Sequence, residues 1–382
     1  MQALPKRVDV VVVGAGIVGL AHAYEAHQRG YSVLVIEKNA RCTGASIRNF
    51  GFITVSGQRS GDTWRRARQS RDVWNAIAPQ AGIAVVHRGS WVACHRDEAV
   101  DVAGAFMRTD MAEGCRLFCK ADFSRLLGEF PETASLLLED MRALLYSPCE
   151  MRVESRDAIP QLAQWLSKEK GIGFQWSTEV LHVEDGIVHT AKESIHADCV
   201  VVCPGAELTG IAKGAMEGYA TEQCTLQMLR IRPAKPIVLP GSVMTDNSLA
   251  RYHGWADLPE AAPLKERIRC EMPEYLAAGI HLIAVQSADG SLVLGDSHVY
   301  GASESVFSSV DSDRLILNLA RSVVDLGQFD VIERWNGVYP VWTGGDAVIH
   351  RMSAKTVVAV VTSGTGASTA FGLAKDTFNT LE

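Results

Sequence analysis

The stretch that most constrains this chain is Val8–Glu37. An apolar run, Val8 to Val13 broken only by Asp9, leads into Gly14, Gly16 and Gly19 in the spacing GxGxxG, and a helical run follows. That order predicts a strand, a tight turn, a helix and, over Tyr31–Ile36, a second strand. Gly14 permits the turn, Gly16 lets backbone approach a pyrophosphate, and Gly19 lets the helix pack on the strand. The helix N-terminus is then left facing the phosphates. Glu37 follows Gly14 by twenty-three residues, where a carboxylate can accept hydrogen bonds from an adenosine ribose. Ala15, Ile17, Val18 and Lys38 belong to the same candidate dinucleotide site.

With 382 residues, 47% of them hydrophobic, the chain can build two cores or one large one. A net charge of −7, from 37 basic and 44 acidic residues, gives no electrostatic reason to expect nucleic acid or an anionic membrane as partner. Arg65, Arg66, Arg68 and Arg71 cluster locally, and helical spacing makes them a solvated face with Trp64, Ala67 and Trp74 turned inward. The nine cysteines show no CxxC and no metal-ligand spacing, so no metal is expected, and the odd count suits a reducing cytoplasm. No apolar run approaches the roughly 18 to 20 residues of a membrane span, and a cytoplasmic, soluble protein is the expectation.

Past Glu37 the loop RCTGASIRNFGFITVSGQ is dense in Gly, Ser and Thr. Its Gly44-Ala45-Ser46 turn followed by Arg48-Asn49-Phe50-Gly51 resembles the flavoprotein family of D-amino-acid oxidase, glycine oxidase and sarcosine oxidase. From chemistry alone, the small residues allow close backbone approach and Arg48 supplies positive charge. The resemblance implies that Ala45 and Ser46 meet the FAD diphosphate while Arg48, Asn49, Phe50 and Gly51 approach the flavin ring. It also places Val180 against adenine and Gly205 in a small-residue turn near the cofactor. The last segment, an apolar strand, a turn at Ser363–Gly366 and a terminal helix, would aim Gly364, Thr365, Gly366, Ala367 and Ser368 at a site for negative charge.

Between these segments, periodicity predicts a helix over Trp64–Ala78 ending at Pro79 and a strand pair within Val85–Glu98 turning at Arg88–Ser90. Two or three helices are expected to follow, through about Asp140. A helix over Ala158–Lys170, a hairpin at Glu184–Gly186 and a buried strand at Val200–Val202 come next. Leu226 to about Val310 reads as strand-rich, with a loop at Ser248–Trp255 and a hairpin turning at Asp289-Gly290, before a helix over Asp311–Leu326. The expected class is α/β: an FAD-binding Rossmann-type domain, glutathione-reductase-like, formed by 1–84, 141–222 and 328–382. An interleaved α+β substrate domain with an antiparallel sheet takes 85–140 and 223–327.

The implied chemistry is hydride removal from an amine or amino acid carbon to flavin N5, giving an imine that water hydrolyses, so no side-chain nucleophile is required. The implied partners are a small amine and O2 or another electron acceptor, with oxidase preferred to dehydrogenase. An NAD-linked dehydrogenase and a flavin-dependent accessory or RNA-modifying protein are the alternatives; the single fingerprint and the acidic charge weigh against them. The sequence sets no oligomeric state. Glycine oxidase and its closer relatives carry an arginine before the proline of the segment that Trp335-Asn336-Gly337-Val338-Tyr339-Pro340 resembles, where it clamps a carboxylate; here the position is Tyr339. One hydroxyl does not replace a guanidinium fork. Arg48, Arg251, Tyr252, His281, His298 and Tyr339 are the substrate-binding candidates, with His298 expected near the flavin face and His281 deeper. Several donors would suit an acidic small amine, an aminophosphonate among them. FAD is expected to be non-covalent, since Tyr339–Ile349 has no Cys and Gly44–Phe52 no His.

Overall fold

The computed structural model describes residues 7–301 and 305–381. The Val8–Val13 run becomes the strand Arg7–Val13, central in the first of two sheets. It pairs in parallel with Val33–Ile36 on one side and Ser194–Val202 on the other, and Thr356–Val361 and Gly173–Gln175 extend the parallel set. Buried parallel strands read as continuous apolar runs because both faces are covered. Here Val10 and Val12 enter one core and Val11 the other. The helices Ile17–Gln28, Ser155–Lys170, Asp62–Gln80 and Gly366–Asn379 supply residues to the first of those cores.

The second sheet has ten strands and is antiparallel except where Ser242–Thr245 runs parallel to Val85–Cys94. Its longest pairing joins Thr221–Pro233 to Phe329–Trp342. The hairpin at Asp289-Gly290 forms as expected, between Ile283–Gln286 and Leu292–Gly295. The mixed α/β, Rossmann-like class is the one expected.

Several local expectations are corrected. Val85–Cys94 is one strand, not a pair: Gly89, at φ +77°, sits where the register shifts between Arg88 and Ser90, so the turn signal marks a bulge. Pro79 lies inside its helix, and Arg116–Cys119 adds an unexpected strand. Ser248–Trp255 overlaps two helical turns, Asp246–Leu249 and His253–Ala256, and helices Ala261–Glu271 and Pro273–Ala277 follow within the supposed strand-rich region. Ala143–Val153 and Phe329–Trp342, grouped by sequence with the nucleotide-binding part, pair in the second sheet. We propose that the domain division follow the sheets.

The arginine cluster is also more than a solvated face. Ala67 and Trp74 are buried as expected, but Arg65 and Arg66 reach Asp376 on the terminal helix: Arg65 Nη1 and Nη2 donate at 2.9 and 2.7 Å, Arg66 Nε at 2.6 Å. Trp74 Nε1 donates to the Ala367 carbonyl at 3.0 Å, and a Cβ on Gly372 would lie 2.5 Å from the Arg66 Cα. Although burial opposes it, hydrogen bonds from Arg65 and Arg66 hold the Asp376 carboxyl below its usual range. Its contribution is therefore present above the ordinary carboxylate pKa and lost as pH falls through the lower folded value. Asp376→Asn is expected to cost about 1–3 kcal/mol near neutrality. It should also flatten the acid side of the stability curve, as read by thermal melts from pH 3 to 7.

Candidate active site

A cavity of about 690 Å³ opens along the ends of the parallel strands, lined by Gly14, Gly16, Glu37, Lys38, Ala45, Ser46, Arg48, Val180 and Gly205 among others. Its floor requires glycine. Gly14 holds φ +104°, and a Cβ there would stand 2.5 Å from the Cys203 carbonyl oxygen; one on Gly19 would stand 1.9 Å from the Gly14 carbonyl oxygen. Gly16 is the N-cap of the first helix, where the Ile17 N–H donates to Ser46 Oγ at 2.9 Å. The Ser46 hydroxyl is thus held at a helix N-terminus, a natural anion site. Glu37 accepts from the Ala15 N–H at 2.9 Å and from the Asn39 N–H at 3.0 Å, so its carboxylate stands at the cavity wall. Lys38 pairs with Glu207. Bare backbone, a helix N-terminus and an acid in this order fit a dinucleotide.

The remaining expected cofactor residues shape this floor from behind. Ala15 and Ile17 are buried, and Val18 packs on the first core. Asn49 turns its amide to the loop's own backbone, donating to the carbonyls of Ala45 (2.8 Å) and Ser46 (3.1 Å) and accepting from the Gly51 N–H (2.7 Å). Phe50 is buried in the second core, with its carbonyl accepting from Arg152 Nε at 3.1 Å. Gly51, at φ +69°, leaves no room for a Cβ, which would fall 1.7 Å from the Val153 carbonyl oxygen. Arg48 lines the cavity and donates through Nε to the Thr43 carbonyl at 2.8 Å. In the last turn, a Cβ on Gly366 would lie 3.8 Å from Ile17 Cγ2, and Ser368 Oγ accepts from the Thr54 N–H at 2.9 Å. Thr365 and Ser363 share a hydroxyl contact of 2.7 Å, while the Ala367 carbonyl is taken by Trp74.

The second half of the site forms on three adjacent strands. Cys224 stands opposite Tyr339 on one side and Tyr300 on the other, so the three share one face. Tyr339 joins this rung to the nucleotide end, since a Cβ on Gly364 would lie 3.6 Å from its hydroxyl. Arg251 Nη2 donates to Tyr300 Oη at 2.7 Å. Below them runs a row of rings: Tyr252 edge-on to His281 at 5.2 Å, then His298 at 5.3 Å from His281, then Tyr300 stacked at 6.4 Å. Asp296 faces both histidines, Oδ1 at 3.5 Å from His281 Nε2 and Oδ2 at 3.8 Å from His298 Nε2.

Five of the six expected substrate residues therefore converge, while Arg48 lies on the nucleotide side. Burial pushes the Asp296 carboxyl up to about 7. Burial first and the Arg251 charge second push both imidazoles well below their ordinary value. Burial also raises the Cys224 thiol to about 11, so it stays protonated. Asp296, Tyr300 and Cys224 escaped the sequence reading. The available signal was Asp296-Ser297-His298 at the hairpin's end, where residues two apart in an extended chain share a face.

The family described as FAD dependent oxidoreductase (DAO) matches residues 9–379. D-amino acid dehydrogenase from Helicobacter pylori (strain ATCC 700392 / 26695) is 52% identical over 47 residues, which is 12% of this chain and 12% of that protein. Among solved structures, glycine oxidase from Geobacillus kaustophilus superposes with a TM-score of 0.76 at 19% identity, covering 99% of this chain and 96% of that one. L-proline dehydrogenase from P. horikoshii gives a TM-score of 0.77 at 19% identity, over 98% and 93%. Identities this low speak to fold.

Proposed function

The chain belongs to the DAO family of FAD-dependent oxidoreductases, and on that premise we propose that it oxidises a small amine bearing an acidic group. The observation that carries this reading is the Arg251–Tyr300 pair at 2.7 Å, with the Tyr300 ring stacked on buried His298 and the rung linked through Tyr339 to the Gly364 turn. When bound, FAD supplies the two-electron acceptor. Gly14, Gly16, Ser46 and Glu37 would hold its dinucleotide part, and the Gly364–Gly366 turn would stand at its other end.

The protein's own share is binding and protonation control. Arg251 and the Tyr300 hydroxyl take over the anion-holding task that Tyr339 cannot perform. An ammonium entering this site meets the same two influences that depress His281 and His298, burial and a neighbouring guanidinium. Both favour the neutral amine, the form that can be oxidised, without a dedicated base. The oxidised product is an imine, which adds water to give a carbonyl compound and a free amine.

The acidic group is a carboxylate or a phosphonate, and an aminophosphonate suits a site with several donors and no fork at Tyr339. Oxygen is the proposed acceptor. A dehydrogenase using another acceptor is the second reading, supported by the name of the H. pylori relative. Steady-state assays on glycine, sarcosine, D-alanine and N-methyl-2-aminoethylphosphonate, followed by peroxide release and by a dye acceptor, test both points. Turnover of acidic amines well above that of ethylamine is expected; equal rates with ethylamine would contradict the reading.

A further inference from the structure

From the convergence of three ligand atoms we infer that His281, Asp296 and His298 form a binding site for a divalent first-row metal ion of the zinc class. The His298 Nδ1–H donates to the Gly279 carbonyl at 2.8 Å. Its Nε2 is therefore the bare nitrogen, and it faces Asp296. Ser248 Oγ donates to the His281 carbonyl at 3.0 Å and stands 3.3 Å from His281 Nδ1. The Leu282 carbonyl lies 3.3 Å from the same hydroxyl, and with the proton donated to either carbonyl the hydroxyl oxygen accepts from Nδ1–H and leaves Nε2 bare.

Two nitrogen lone pairs and a carboxylate thus point at one another, all within 4.8 Å. Asp296 Oδ1 is buried with no hydrogen-bond partner. The nitrogen–oxygen separations of 3.5 and 3.8 Å are too long for hydrogen bonds. The 3.5 Å from His281 Nε2 to Asp296 Oδ1 comes close to the roughly 3.4 Å between neighbouring ligands around a tetrahedral ion with bonds of about 2.1 Å, and the other carboxylate oxygen lies on the His298 side. Ring N–H groups fixed by backbone and hydroxyl acceptors are the usual outer support of metal-bound histidines. Gly279 is part of that support, since a Cβ on it would lie 2.7 Å from His298 Cβ. Two imidazoles and one carboxylate suit zinc, iron(II) or cobalt(II).

The expectation of no metal came from the cysteine pattern; the ligands arrive instead from the two ends of a hairpin. Resting on the proposed function, the ion's remaining positions would take an oxygen of the substrate's acidic group, together with Arg251. That adds the charge missing at Tyr339 and selects for oxyanions.

The test uses the FAD-loaded enzyme, stripped with dipicolinate, reloaded with Zn2+ and freed of excess, with metal counted against flavin. About one zinc per chain is expected for the parent protein and less than about a tenth for Asp296→Asn. His298→Gln is measured alongside, with flavin content reporting whether each variant is folded. Co2+ in place of Zn2+ should give visible d–d bands that both variants lack. A parent enzyme that retains less than about a tenth of an equivalent overturns the site, as does folded, flavin-loaded Asp296→Asn or His298→Gln binding zinc like the parent. Metal content is read without turnover, so a chain that binds zinc yet oxidises no amine overturns the proposed function alone.

Discussion

Gly14→Ala is expected to yield a folded protein that has lost most of its FAD. Two costs coincide at this position. The backbone holds φ +104°, which L side chains rarely adopt, and the new Cβ would stand 2.5 Å from a main-chain oxygen, that of Cys203, which cannot swing aside. Backbone strain of about 1–3 kcal/mol, relieved only by moving the loop out of the cavity, corresponds to roughly 5- to 150-fold weaker binding. Gly205→Ala is the control: the glycine also lines the cavity, at φ +65°, but nothing lies within 4 Å of its Cβ position. It should bear the strain without the clash and keep more flavin. Flavin absorbance per protein after gel filtration, with circular dichroism for folding, gives the comparison. Equal retention in the two variants would show that the Cys203 contact does not hold the loop.

Arg251→Ala is expected to reduce kcat/KM by about 10- to 150-fold on an acidic amine, the equivalent of the roughly 1.5–3 kcal/mol found for hydrogen bonds to charged groups. The loss should fall mainly on KM, because the guanidinium binds the part of the substrate that does not react. On an amine without an acidic group, activity should change by less than about threefold. Arg251→Lys keeps the charge without the planar fork and should recover only part of the loss. If Arg251→Ala weakened acidic and neutral amines alike, the residue would be serving the pocket's shape rather than reading an anion.

The parts of the fold and of the site that are legible in the sequence are those encoded locally. Val8–Glu37 carries its own strand, turn, helix and acid, and every one of those signals lies within a few residues of its neighbour. Long-range pairing was not legible. Ala143–Val153 and Phe329–Trp342 carry no local mark of the sheet they belong to, and only their partners, Val85–Cys94 and Thr221–Pro233, reveal it. Gly89 illustrates a related ambiguity, because a glycine between apolar runs signals a turn or a bulge equally well. In the site, the histidines stood out by type while Asp296 did not, since one aspartate in an acidic chain carries no local mark. Its meaning comes from burial without a hydrogen-bond partner for Oδ1, which exists only in the folded chain. Asn49 shows how the folded chain commits a polar side chain, since its amide donates to the Ala45 and Ser46 carbonyls and accepts from the Gly51 N–H and the Ser155 hydroxyl.

The most direct test of the central claim is anaerobic mixing of the FAD-loaded enzyme with an acidic amine and, separately, with the hydroxy compound of the same shape. The amine is expected to bleach the yellow flavin band, with about one carbonyl product formed per flavin reduced. Bleaching by the hydroxy compound with no response to any acidic amine would contradict the claim.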